Sequence, residues 1–164
     1  MDWRVLTETL RASPLGTSTQ TLVAALLLVG FGTLVSLVPF HSWAPGGYAS
    51  APAPAAMLHA GVLKKFGLYG LLRLALPLTP FGWKEIGWLV GLMLAGNILY
   101  LGLASLQQRD FRWLLGFSSA MHMGTVFLGL IAGTVLGLGG ALALMVGHGF
   151  SAALGFAVAG EVGR

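Results

Sequence analysis

The sequence predicts an all-α protein, a polytopic transmembrane helical bundle with about five membrane spans. Only 9% of its 164 residues are charged and 56% are apolar, whereas about 25% of the residues in an ordinary soluble domain are charged. No Lys, Arg, Asp or Glu occurs between Arg11 and Lys64. None occurs between Arg112 and Glu161 either. So little charge cannot cover a soluble surface, which excludes the soluble globular and disordered classes.

Five stretches of the chain have the roughly 20 apolar residues that a helix needs to cross a bilayer. In chain order they cover about 19–40, 54–76, 85–106, 112–132 and 138–159. Together they predict a transmembrane domain over 19–164. The basic residues of the connecting loops divide almost evenly between the two sides, so the orientation stays open.

The segments outside these spans are short. Residues 1–18 form an N-terminal segment in which Trp3, Leu6 and Leu10 fall on one side of a helix, and this predicts a short interfacial helix. The connection His41–Ala53 is rich in proline and glycine, which predicts a structured turn at the membrane surface.

Three ionisable residues lie deep within the predicted spans. Lys65 is about 11 residues from each end of the second span, or about 16 Å from either surface. His122 and His148 lie near the middle of the fourth and fifth spans. A charge at the bilayer centre costs roughly 2.5 kcal/mol or more, so such groups face an internal polar space and often mark a transport path.

The chemistry of lysine and histidine favours proton transfer, because desolvation lowers the pKa of a lysine towards neutrality and an unperturbed histidine titrates near pH 6.5. Taken singly, each residue has a structural alternative: a lysine kept neutral for packing, or a histidine that bonds across helices. Three such groups at one depth on different helices favour a lateral proton relay. His59 and Lys64 are candidate lining residues, and a packing role is the alternative for both.

Other functional classes find no support in the sequence. The chain has no cysteine, which excludes disulfides, iron–sulfur ligation and cysteine-bound zinc. Its net charge of +4 is dispersed over loop ends, so nucleic acid is not a predicted partner. Phosphate-binding and haem-attachment motifs are also absent from the sequence. We predict no catalytic residue, metal site or cofactor site in this chain.

Several motifs resemble those of a known membrane protein family. PFHSWAP ends at Pro45, and AGVLKK ends at Lys65, with YGLLR after it. Asp110 begins DFRWLLGFSS, MHMG follows, and GHG is centred on His148. These motifs resemble those of the antiporter-like membrane subunits of respiratory complex I, in particular the M-type subunit, which is called chain 4 in mitochondria. The resemblance begins near Leu6 and is without a gap from Trp43 to His148.

The resemblance implies roles for the ionisable residues. Lys65 would be the lysine of the family's central polar axis, and His122 with His148 would continue that axis towards the second half-channel. The candidate lining residues are then His41, His59, Lys64 and Arg112. The resemblance also implies that the first span is a broken helix, which Gly32 and Pro39 would support, with His41 in the following turn.

The sequence also departs from the family pattern. Leu34 occupies the position of a lysine in the broken helix, and Gly46 and Tyr48 replace an aspartate and a histidine of the turn. Arg112 replaces another lysine. The acidic residues of the family's flanking helices fall outside these 164 residues. Proton pumping by this chain alone is therefore not expected, since Lys65 would have no acidic partner.

The resulting hypothesis is a proton-translocating subunit, or a split or truncated piece of one, of an NADH:quinone oxidoreductase in a bacterial plasma membrane. NAD, FMN, iron–sulfur clusters and quinone are expected only in partner subunits, so this chain would not be catalytic alone. Expected partners are other membrane subunits, separately encoded flanking parts of the same subunit, and the lipid bilayer. Two alternatives stay open: a subunit of a multisubunit cation/proton antiporter or membrane-bound hydrogenase, and a structural remnant that transports nothing.

Overall fold

The computed structural model describes residues 3–162, except for the side chains of Trp3, Arg4 and Arg11. Within this range the chain forms helices joined by short connections. We number them α1 (Trp3–Ala12), α2 (Thr17–Val35), α3 (Trp43–Ser50), α4 (53–78), α5 (Pro80–Glu85), α6 (Gly87–Leu106), α7 (Phe111–Ile131) and α8 (Val135–Val162). The fold is all-α over the described residues, as predicted.

Four of these helices, α2, α6, α7 and α8, are long and apolar enough to cross a membrane. Helix α4 corresponds to the remaining predicted span, the second in chain order. It runs for about 39 Å at 1.5 Å per residue and includes two π turns, His59–Leu63 and Leu71–Ala75. Each of the five predicted spans thus corresponds to a helix, and all but the first of these helices have ends within about three residues of the predicted ones.

The first span is shorter than predicted, because α2 ends at Val35 and not at Phe40. Ser36 adopts the left-handed conformation, with φ 67°, and Leu37 N–H bonds to the carbonyl of Gly32 at 2.8 Å. This pattern is typical of a helix C-terminus. Gly32 itself stays helical, so the break in the first span covers 36–42, with a cis peptide between Val38 and Pro39.

The prediction of a surface turn over His41–Ala53 is wrong, since most of this segment is helix α3. Its residues Ala44, Pro45 and Tyr48 are buried. The helix packs against the first half of α7, where a Cβ added at Gly116 would lie 2.8 Å from Pro45 Cα. Because its backbone packs closely against α7, helix α3 lies within the bundle.

Helix α7 lies at the centre of the core and packs against α3, α6 and α8. Its side chains Met123, Val126 and Phe127 are fully buried. Helices α2 and α4 also approach closely, since Gly67 and Gly70 of α4 leave room for Val35 and Phe31. Small residues at helix contacts allow this backbone proximity.

Helix α1 matches the predicted helix within the N-terminal segment. Val5 is exposed, while Leu6 and Leu10 are half-buried. The predicted apolar face also includes Trp3, whose side chain lies outside the described ones. An interfacial position for α1 stays a prediction.

Candidate proton path

Lys65 on α4 makes the main contact between the predicted site residues. It directly follows the π turn, together with Lys64. Its Nζ donates a hydrogen bond to the carbonyl of Ala60 and lies 2.8 Å from Nδ1 of His148 on α8. Lys65 is half-buried and His148 is only 5% exposed. An ionisable pair therefore joins α4 to α8, next to a π turn of the kind that often marks functional sites.

His122 on α7 extends this pair to a third helix. Its ring centroid lies 5.3 Å from that of His148. Its Nδ1 lies 2.8 Å from the backbone carbonyl of Ser118. Because a carbonyl only accepts, Nδ1 carries the proton of the neutral ring and Nε2 has the free lone pair. We call Lys65, His148 and His122 the Lys–His row.

A second group of side chains surrounds Lys64, which points about 100° away from Lys65 around the helix. Lys64 is fully buried, and its Nζ lies 4.9 Å from the ring centroid of Tyr48 on α3. The hydroxyl of Tyr48 lies 2.9 Å from Nδ1 of His59, and the ring of Trp43 meets His59 edge-on at 5.3 Å. We call these four residues the Lys64 cluster. It brings together two of the predicted lining residues, His59 and Lys64.

The other two predicted lining residues lie apart from the Lys–His row. His41 belongs to the break and packs against Tyr100 of α6, with ring centroids 5.6 Å apart. Arg112 lies in the first turn of α7, where its backbone N–H bonds to the capping carboxylate of Asp110 at 2.8 Å. It is ten residues before His122, or about 15 Å along the helix. The structure does not bring Arg112 to the row.

Asn97 is a structural site residue that the sequence analysis missed. It is fully buried in a π turn of α6. Its Oδ1 accepts a hydrogen bond from Val38 N–H, and its Nδ2 donates to the carbonyls of Ser36 and Ala120 at 3.3 and 2.9 Å. One amide thus joins the break to α7. The available signal was a single amide within an apolar span.

An open groove of about 590 Å³ lies between α4 and α8 on the face that carries Lys65. Apart from Lys65 its lining is mostly apolar, with Phe66, Met145 and Phe150 among the larger side chains. Among the described residues, no cluster of three or more His, Cys, Asp or Glu side chains could hold a metal ion. The chemistry that the arrangement offers is proton exchange between nitrogen bases.

Five apolar helices, a broken first span and internal basic groups define a polytopic membrane protein that holds ionisable side chains within its apolar core. The chain belongs to the family described as the transmembrane part of NADH:quinone oxidoreductase and Mrp antiporters, which it matches over residues 3–164. This confirms the resemblance that the motifs indicated.

Known relatives support the M-type assignment. The chain is 40% identical over 134 residues to NAD(P)H-quinone oxidoreductase chain 4-2 of Synechocystis, covering 82% of this chain and 24% of that protein. It is 38% identical over 151 residues to chain 4 of a Synechococcus, covering 92% and 28%. The chain thus spans about a quarter of the length of these curated relatives.

A solved structure has the same fold. A chain of respiratory complex I from Thermus thermophilus with bound NADH matches with a TM-score of 0.86 and 30% identity. The match covers 95% of this chain and 33% of that one.

Proposed function

We propose that this chain is a proton-translocating membrane subunit, or a separately encoded piece of one, in an NADH:quinone oxidoreductase. The observation that supports this most is the Lys–His row, which links α4, α8 and α7 inside a helical bundle. The chain would hold no redox centre. NAD, FMN, iron–sulfur clusters and quinone would bind to partner subunits, beside other membrane subunits and flanking parts of the same subunit. The complex would lie in a bacterial plasma membrane.

Proton transfer along the row follows from its geometry. When Lys65 is charged, its ammonium donates to Nδ1 of His148 across 2.8 Å, so this bond is a direct transfer route. The ring of His148 can then pass a proton from Nε2 towards His122, whose free nitrogen is also Nε2. An intervening water or a small ring rotation would connect the two rings. A charge change in a neighbouring segment would load or unload Lys65 electrostatically.

The test replaces Lys65 in the complete complex. Lys65→Ala should leave assembly and NADH oxidation by the uncoupled complex intact and lower proton transfer about 100-fold or more, because the first base of the row is lost. The measurement is the number of protons moved per NADH in sealed vesicles. Lys84→Ala is the matched control, since Lys84 is exposed and outside the row. An unchanged proton/electron ratio in the Lys65 variant would contradict the proposal.

A second candidate function is a subunit of a multisubunit cation/proton antiporter, because the matched family includes Mrp antiporters. The Lys–His row would serve proton movement there too. Sodium dependence separates the two: proton movement driven by a sodium gradient, without NADH, would favour the antiporter.

A further inference from the structure

Lys64 is the most deeply buried ionisable side chain of the described residues, with no exposed surface. Its Nζ has no hydrogen-bond partner among them. Lysine is rarely buried without a partner, because desolvation of an ammonium is costly and an unpaired buried donor costs about 1–3 kcal/mol even when neutral. Burying the Lys64 amine for packing alone would therefore lower the stability of the fold.

The surroundings of Lys64 nevertheless suit a transient positive charge. The Tyr48 ring lies 4.9 Å from Nζ, which is within the range of a cation–π interaction. The Tyr48 hydroxyl is bonded to His59 Nδ1 at 2.9 Å. His59 is half-buried, and Trp43 beside it is 38% exposed. A half-buried base, which is bonded to the Tyr48 hydroxyl, and a fully buried amine thus share the Tyr48 side chain as their common neighbour.

The ionisable groups that face Lys64 are all basic, apart from the Tyr48 phenol. Lys65 on the same helix, His59, and His148 on α8 each interact with it electrostatically. Helix α2, which packs on the same part of α4, carries no ionisable side chain over 17–35. With no carboxylate among these groups, a charge on Lys64 opposes a charge on Lys65. The two lysines therefore favour a state in which only one of them is protonated at a time.

We propose that Lys64 is a second proton-accepting site of this chain, loaded through His59 and Tyr48 and occupied in alternation with Lys65. In the loading step, protonated His59 loses one proton and the neutral Lys64 amine gains it, so one positive charge moves inwards. The Tyr48 hydroxyl and one intervening water each receive a proton and release one, and both end unchanged. Lys64 then gives this proton to the neutral Lys65 amine, so Lys64 becomes neutral as Lys65 becomes charged. Lys65 passes the proton on to His148 of the Lys–His row.

This inference depends on the proposed function, and the experiment compares two lysine variants in the complete complex. Lys64→Met keeps an unbranched side chain that is one heavy atom shorter and cannot bind a proton. We expect normal assembly, retained NADH oxidation by the uncoupled complex and about a 100-fold slower proton transfer. Protons moved per NADH in sealed vesicles are measured for Lys64→Met, Lys65→Ala and the exposed control Lys84→Ala.

Two further variants separate proton transfer from packing. Tyr48→Phe keeps the ring beside Lys64 but removes the hydroxyl, and His59→Gln keeps a polar side chain without a titrating base. Both should slow proton transfer while assembly stays normal. Full pumping in Lys64→Met, with pumping lost in Lys65→Ala, would overturn this inference and leave the proposed function intact. Full pumping in both lysine variants would overturn both.

Discussion

At the scale of single residues, Asn97 stabilises the break in the first span. Within a membrane every freed backbone group needs a protein partner or an internal water. The end of α2 leaves the Ser36 carbonyl and the Val38 N–H outside the helix, and the Asn97 amide bonds to both. Only a side chain with a donor and an acceptor can do this, which excludes most substitutions.

The first residue-scale prediction concerns this amide. Asn97→Leu should lower the free energy of unfolding by about 1–3 kcal/mol for each buried backbone group left unpaired. Leu99→Ala is the control, since Leu99 lies on the same helix but is 66% exposed. Unfolding of the purified protein in mixed micelles measures both variants. Equal stability of Asn97→Leu and Leu99→Ala would contradict the role of the amide.

The Lys–His row belongs to the same scale. Depth in the spans singled out Lys65, His122 and His148, because the cost of burying an ionisable group depends on distance from water, which is readable from sequence. Their mutual distances depend on how α4, α8 and α7 rotate about their axes. The sequence therefore predicted the residues but not the 2.8 Å contact of Lys65 with His148, and their role in transport stays a proposal.

At the scale of elements, the contact between α3 and α7 decides where the Lys64 cluster lies. Tyr48 lies on α3, which packs against α7, and its ring meets Lys64 of α4 from this position. The contact depends on Gly116, where an added Cβ would lie 2.8 Å from Pro45 Cα. The atoms that an added Cβ would meet belong to the backbone of Pro45, so no flexible side chain can move to make room for it.

This contact gives an element-scale prediction. Gly116→Ala should lower the unfolding free energy by about 1–3 kcal/mol through overpacking. Gly139→Ala on α8 is the matched control, because nothing lies within 4 Å of its added Cβ. That control should be neutral or stabilising by up to about 1 kcal/mol, since alanine favours helix over glycine. Thermal unfolding compares the two variants; a Gly116→Ala protein as stable as the control would show that α3 can shift.

At the scale of the whole molecule, five crossings determine which connections share a side of the membrane. The broken span α2–α3 counts once, and α4, α6, α7 and α8 complete the set. Contacts agree with this order: Phe81 N–H bonds to Gln20 at 3.2 Å on one side, and Gly160 approaches Ala53 on the other. The positive charges do not show which side of the membrane each connection faces. The fold does show which connections lie on the same side.

Cysteine labelling tests this topology without interference, because the chain has no native cysteine. Ser13→Cys and Thr134→Cys should react together with an impermeant maleimide from one side of sealed vesicles. Gln107→Cys should react only from the opposite side. All three positions are exposed. Labelling of Gln107→Cys from the same side as Ser13→Cys would show that the number of crossings between them is even.

The sequence by itself determined the membrane class, the five spans and the family, because hydropathy, charge spacing and short motifs are local properties of the chain. Only the tertiary structure decided how α3 enters the bundle, which groups Asn97 joins, and that Lys64 and His59 share Tyr48 as a neighbour. Those features depend on helix rotation and backbone proximity. They arise from packing between residues far apart in sequence, for which a single sequence carries no direct signal.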